Sequence, residues 1–174
     1  MIPSPRLAGR GGYILMEVVV TVLILSLSIV ALMPIFAMSY KGSRRSERTL
    51  VAIHLAQELM EEIKLRKWDE ASYTGRPGPL ADPGPLGPDP GEDPKDKRSF
   101  NDVDDFAGWR EEPPQDPVMR PLAESSGYRR SVLVRYLDSD LKPSEAQTDY
   151  KHVSICVASQ NVTWTCLDRI FANR

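Results

Sequence analysis

Hydrophobic and polar positions divide this chain into stretches of different character. From Val18 to Tyr40 no residue is charged and most are apolar, VVVTVLILSLSIVALMPIFAMSY. As an α-helix rising 1.5 Å per residue, that run extends about 35 Å, enough to cross a bilayer core of about 30 Å. The pattern predicts a membrane-spanning helix. Directly before it stands one charge, Glu17. An ionised carboxylate at that depth costs on the order of a few kcal/mol unless something pairs with it.

Past Tyr40 the polarity changes, with Lys41, Gly42, Ser43, Arg44 and Arg45 forming an interfacial collar. Helical spacing resumes at once. Ala52, Ala56, Leu59, Met60 and Ile63 fall on one face, while Glu58, Glu61, Glu62 and Lys64 mostly take the other. If this amphipathic segment continues the apolar one, a single helix runs from Tyr13 to near Trp68, about 80 Å at the standard rise. Pro34 removes a backbone donor and should kink it, and Gly42 is a second weak point. Two helices meeting at Gly42 are the alternative.

From Gly75 to Pro94 the chain reads GRPGPLADPGPLGPDPGEDP. Proline and glycine alternate there too densely for helix or central strand, so an irregular or mobile connector of polyproline character is expected. Asn101, Asp102, Asp104 and Asp105 follow, before Phe106 and Trp109. Acidic oxygens at this density could hold calcium, on Asp102, Asp104 and Asp105. The EF-hand pattern is absent, and the competing expectation is a solvated turn whose Asp side chains accept from nearby backbone amides.

The last third alternates with a period of two. Val132, Val134 and Tyr136 share one face of Tyr128–Leu137, opposite Arg129, Ser131 and Arg135; Val153, Ile155 and Val157 share one face of Tyr150–Ser159. A third run, Thr163–Phe171, offers Thr165, Leu167 and Phe171, and Gln160–Val162 can join the last two runs as a hairpin. Three such strands make a minimal antiparallel sheet needing a cover, and the apolar stripe after Arg48 supplies one. The fold class is therefore α+β, a long N-terminal helix, membrane half plus amphipathic half, packed on a small C-terminal antiparallel sheet. Its segments are 1–12, 13–40, 41–74, 75–127 and 128–174. The hairpin register sets Cys156 opposite Cys166, a bridgeable spacing in an oxidising compartment; two reduced thiols acting as small apolar residues are the alternative.

Composition narrows the functions. A net charge of −2 over 174 residues gives no basic field for nucleic acid. His54 and His152 lie far apart, neither with a second ligand at metal spacing. Gly9, Gly11 and Gly12 precede a membrane span and not a soluble helix, so they make no phosphate loop, and there is no GxSxG or HExxH. No catalytic site and no resident cofactor are expected. The chain reads as a non-enzyme.

Gly12, Tyr13, Leu15 and Glu17, with a leader carrying Arg6 and Arg10 before them and a long apolar helix after, closely resemble the N-terminal processing motif of type IV pilins and type II secretion pseudopilins. In that family the leader ends in Gly, the mature chain begins with an aromatic residue, usually Phe, and Glu stands fifth. Here Tyr13 takes the aromatic place and Met16 a position where Ile is commoner; Pro34 sits where the family often carries proline. The resemblance covers Gly12 to about Trp68. It implies cleavage by prepilin peptidase after Gly12, N-methylation of Tyr13, and a single pass through the bacterial inner membrane with the C-terminal domain extracytoplasmic. It further implies assembly with other pilin or pseudopilin subunits on an inner-membrane platform, as a minor subunit, with 75–127 as the family's variable surface region.

Glu17 would then be a register device, its carboxylate neutralised by the new terminal amine of a neighbouring subunit. Orientation rests on the resemblance alone, because Lys41, Arg44, Arg45 and Arg48 outnumber Arg6 and Arg10 across the span. Two rivals remain. Ala37 and Ser39 have the spacing of a secretory cleavage site, though the apolar run exceeds the usual about 7–15 residues. A single-pass anchored envelope domain that binds a partner without any filament would keep its N-terminus at Met1.

Overall fold

A computed structural model of the chain describes residues 11–69 and 85–173. Most of the leader and the first part of the proline-rich connector lie outside the described residues. Helix α1 spans Gly11–Lys64, 54 residues that continue through Pro34 and Gly42 without interruption. The chain divides within this helix, between Ser46 and Glu47, into two compact units.

In the first unit every side chain from Tyr13 to Ser46 is exposed. The segment is long and apolar enough to cross a membrane, and none of it is buried within the protein. Its hydroxyls are satisfied locally: Thr21 Oγ1 donates to the Glu17 carbonyl at 2.6 Å, Ser26 Oγ to Val22 at 2.7 Å and Ser28 Oγ to Ile24 at 2.8 Å. A helix so arranged presents almost no polar group that needs water. At the polar end the Arg44 guanidinium lies 5.0 Å from the Tyr40 ring centre.

The second unit holds the sheet. Strand β1 is Arg110–Glu111, β2 Tyr128–Leu137, β3 Pro143–Ser144, β4 Tyr150–Ser159 and β5 Val162–Ala172. All pairs are antiparallel, in the order β1-β2-β4-β5, with β3 on the far end of β2. The turn between β4 and β5 is two residues, tighter than the expected loop. Gln160 and Asn161 both take left-handed φ, 51° and 61°, the geometry whose twist suits a tight hairpin.

On α1 the buried face comprises Ala52, Leu55, Ala56, Leu59, Met60 and Ile63. It packs over Val132, Val134, Val153, Ile155 and Val157. Segment 85–127 departs from the expected surface loop. Between Phe100 and Trp109 it sends Phe100, Val103, Phe106 and Trp109 into the core, where Phe100 meets Phe106 and Trp109 edge-on at 5.1 and 5.3 Å. Aromatic residues on successive turns have no period, so the search for helical or strand spacing passes over them.

Two further departures share one cause. α1 ends at Lys64 and not near Trp68; Lys67 instead bridges to Asp102, and the Trp68 indole donates to the Phe171 carbonyl at 3.2 Å. Glu62, expected on the polar face, is buried, with Lys97 Nζ at 3.0 Å. Both answer cations inside the domain.

Arg130 and Lys151 occupy inward positions of β2 and β4, near opposite ends of the apolar face, and both are fully buried. Arg130 pairs with Glu111 and donates to the Leu55 carbonyl of α1 at 2.8 Å and the Gln115 carbonyl at 2.6 Å. Lys97 lies 3.6 Å from the same Glu111 and 3.0 Å from Glu62, which Arg66 also approaches at 3.9 Å, so the carboxylates there are matched by cations. Burial pushes the Glu111 carboxyl up, against the pull of Arg130 and Lys97. Lys151 donates to the Trp68 carbonyl at 2.8 Å and Asp69 at 3.1 Å, pairs with Asp104, and lies 4.0 Å from the Trp68 ring centre.

Removing one member of a buried pair leaves a charge with no compensation, at a cost of about 3–5 kcal/mol; replacing both members by apolar residues can be neutral. Arg130→Ala is therefore expected to lower stability by about 3–5 kcal/mol in chemical denaturation. The Arg130→Met/Glu111→Leu double variant, which leaves Lys97 with Glu62, should recover at least half of that loss. A double variant as unstable as the single one would show that packing, not charge balance, sets the cost.

Candidate functional site

Two regions carry the residues singled out from the sequence. The first is the start of α1. Gly12 lies within the helix as described, Tyr13 is 82% exposed and Glu17 is exposed on the same apolar rod. Nothing in the protein itself pairs with the Glu17 side chain among the described contacts. Arg6 and Arg10 lie outside the described residues.

The second is the acidic turn, and here the structure rearranges the expected set. Asp102, Asp104 and Asp105 are buried and not solvated. Asp102 Oδ1 accepts from the amides of Asp104 and Asp105 at 3.0 and 3.3 Å, at the start of the 3-10 turn Asp104–Phe106. Asp105 Oδ2 accepts from the amides of Asn101 and Asp102 at 2.8 and 2.9 Å. The local amide bonding expected of such a turn is present, but inside the fold.

Asp104 leaves the expected calcium trio, because it turns to Lys151. Asp89, from the proline-rich segment, takes its place. One carboxylate oxygen each from Asp89, Asp102 and Asp105 lie within 4.8 Å of one another. Glu92 flanks them, accepting from the Asp89 amide at 3.1 Å and from Asn101 Nδ2 at 2.9 Å.

Burial and neighbouring carboxyls shift the acids of this cluster. Burial pushes Asp102 up to about 8, with Asp104 and Asp105 adding to the rise. Burial also raises Asp104, against the pull of Lys151. Glu92 is pushed up to about 7 by partial burial and by the carboxyl of Asp105 beside it. Tyr136 is raised as well, by burial and the same acidic neighbours.

Elsewhere, Cys156 and Cys166 stand opposite each other in the β4–β5 register and are joined by a disulfide, Cα atoms 4.1 Å apart. His152 lies across the outer face between Arg135, whose Nε donates to Nδ1 at 3.1 Å, and Asp168, 3.1 Å from Nε2. His54 is exposed on α1. The two histidines thus sit on separate elements.

Arg130, Lys151, Lys97, Asp89 and Glu92 were not singled out from the sequence. For the first two a signal was present: strict alternation puts Arg130 with Val132 and Lys151 with Val153 on the inward face. The other three lie on irregular backbone, where no spacing marks them. Compared with known proteins, the chain matches no family model, no curated protein and no solved structure.

A cross-link closing a loop of this length, with a sequence separation of 10, contributes about 2–3 kcal/mol in the chain-entropy account. The oxidised full chain should therefore melt at a higher temperature than the Cys156→Ala/Cys166→Ala variant. It should also show no thiol reactive to alkylation before reduction. Reactive thiols in the oxidised sample, or equal melting temperatures, would remove the cross-link from the account.

Proposed function

We propose that this chain is a minor subunit of a membrane-anchored filament, a type IV pilin or a type II secretion pseudopilin. The observation that carries the reading is the first unit of α1. An uninterrupted helix, uncharged from Val18 to Tyr40 and exposed there on all sides among the described residues, includes Gly12–Tyr13 in its first turn and carries one carboxylate in that unit, Glu17. So large an exposed apolar surface requires a cover, first lipid and then the same segment of neighbouring subunits.

In this reading prepilin peptidase cuts after Gly12, the amine of Tyr13 is methylated, and an inner-membrane platform draws the helix into a bundle. Among apolar helices the Glu17 carboxylate favours the stagger that meets a neighbour's terminal amine, and that pairing sets the register. Outside the membrane the α+β domain forms the subunit's surface, and its disulfide suits an oxidising compartment. The role is structural and needs no catalytic group of its own.

Mass spectrometry of the mature N-terminal peptide tests the reading: it should begin at a methylated Tyr13. Intact leader starting at Met1, in cells that own the peptidase, would leave a tethered binding domain in its place. Gly12→Lys should block cleavage and leave a protein longer by the leader; normal processing of that variant would count against the motif.

Glu17→Ala should still be cleaved and remain in the membrane. Its incorporation into filaments should fall tenfold or more, equivalent to about 1.4 kcal/mol or more of lost pairing. Undiminished incorporation, measured by immunoblot of sheared filaments, would dismiss the register role.

A further inference from the structure

Strand β5 closes one side of the sheet, and among the described residues no strand pairs with its far edge. The other side ends differently. There the sheet stops at β1, two residues, and at β3, two residues beginning with Pro143, so little backbone is left open. β5 runs for 11 residues, Val162–Ala172, without proline or lysine, and the irregularity in its pairing lies at Val157/Ala158, near the turn. An edge of that length ordinarily carries charges that keep other chains off. Its two charges are both engaged within the chain: Asp168 turns back across the outer face to His152 at 3.1 Å, and Arg169 turns to Glu61 of α1 at 3.6 Å.

The register shows which groups the edge offers. Cys156 and Cys166 face each other with Cα atoms 4.1 Å apart, the close spacing of a pair that exchanges no backbone hydrogen bonds. The amide and carbonyl of Cys166 therefore point away from β4. Pairing is unbroken from Cys166 to Ala172, so those of Asp168 and Ile170 point the same way. Asp168, Arg169 and Ile170 are all exposed.

We propose that the free edge of β5 takes an added strand from another protein, an extended segment with a lysine or arginine facing Asp168 and an apolar residue facing α1. In such additions backbone pairing supplies the affinity, and alternate side chains select the partner. On the α1 side, Gln57, Met60 and Glu61 border an open cleft of about 350 Å³ with Leu167 and Arg169, which receives the apolar side chain. On the outer face His152 accepts from Arg135 at Nδ1, so it meets Asp168 as a neutral donor, and no cation faces Asp168 among the described contacts. A basic residue across from Asp168 supplies one. A second copy fits less well. β5 paired with itself about Asp168 or Arg169 sets like charges opposite each other, and β1 and β3 are too short to run along it. The inference does not rest on the filament reading, since it concerns the folded unit alone.

The test uses the full chain in detergent and the synthetic peptide TVKVTVKVT, whose lysines and valines fall on opposite faces of a strand. It should bind saturably, with a Kd below about 1 mM. Amide hydrogen exchange should then slow about tenfold or more at Asp168 and Ile170, and change little at Leu167 and Arg169, which already pair with β4. A contact through side chains alone would not protect alternate amides. The glutamate version, TVEVTVEVT, should bind about threefold or more weakly, and Asp168→Lys should reverse that order.

Ile170→Pro removes one edge amide that β4 does not use, so it should abolish peptide binding while keeping the disulfide and a melting temperature within about 5 °C of the parent. Asp168→Lys, at an exposed position, carries the test if the proline variant folds poorly. No saturable binding of either peptide up to about 1 mM, binding without protection at Asp168 and Ile170, or undiminished binding by a folded Ile170→Pro would each overturn the proposal. A chain that dimerises without peptide and protects the same amides would also overturn it, giving the edge to a second copy.

Discussion

Burying a lysine or an arginine obliges a protein to bring carboxylates and carbonyls to it, because an uncompensated charge inside costs several kcal/mol. In the folded unit this obligation falls twice, at Arg130 and at Lys151, on adjacent strands and near opposite ends of the apolar face between sheet and helix. Most of what is irregular in the domain answers one or the other. Glu111 and Gln115 come to Arg130 from the segment ahead of β2, and the Leu55 carbonyl comes from α1. Asp69 and the Trp68 carbonyl come to Lys151 from the chain just past the helix, and Asp104 comes from the acidic turn. Two strand residues thereby order three stretches of chain outside the long helix and the long strands.

The same constraint explains where the helix stops. Nothing in the composition of Leu65 to Trp68 forbids further turns of helix, and propensity favours continuing. Continuing would carry the Trp68 carbonyl and Asp69 away from Lys151. The chain instead becomes extended at Lys67, whose backbone exchanges hydrogen bonds with Asn101 and Val103. A weak local preference yields to a strong non-local one. Glu62 gives way in the same manner, since Lys97 draws it off the polar face into the interior.

The acidic surplus beside Lys151 follows from this economy of partners. One ammonium serves Asp69 and Asp104, and carboxylate oxygens of Asp89, Asp102 and Asp105 lie within 4.8 Å of one another close by. Burial and mutual repulsion raise several of them well above their ordinary range. The first unit of α1 presents the opposite problem, a wealth of apolar surface with one carboxylate and no cover among the described residues.

What the sequence by itself determined was everything with a period. The uncharged run after Glu17 dictates an apolar helix; the stripe from Ala52 to Ile63 dictates a cover; alternation along Tyr128–Leu137 and Tyr150–Ser159 dictates strands, while a register shift between Val157 and Ala158, after a two-residue turn, is what sets Cys156 opposite Cys166. The periodic elements follow from local geometry, 3.6 residues per turn or two per pleat, which any short window of sequence exposes. Only the tertiary structure decided the partners: that Arg130 and Lys151 stay inside, that Phe100, Phe106 and Trp109 fill the core from a segment without period, and that Asp89 and not Asp104 joins Asp102 and Asp105. Each of those contacts links residues far apart in the chain through irregular backbone. Its energy depends on what arrives from elsewhere, and no local pattern of residues records that.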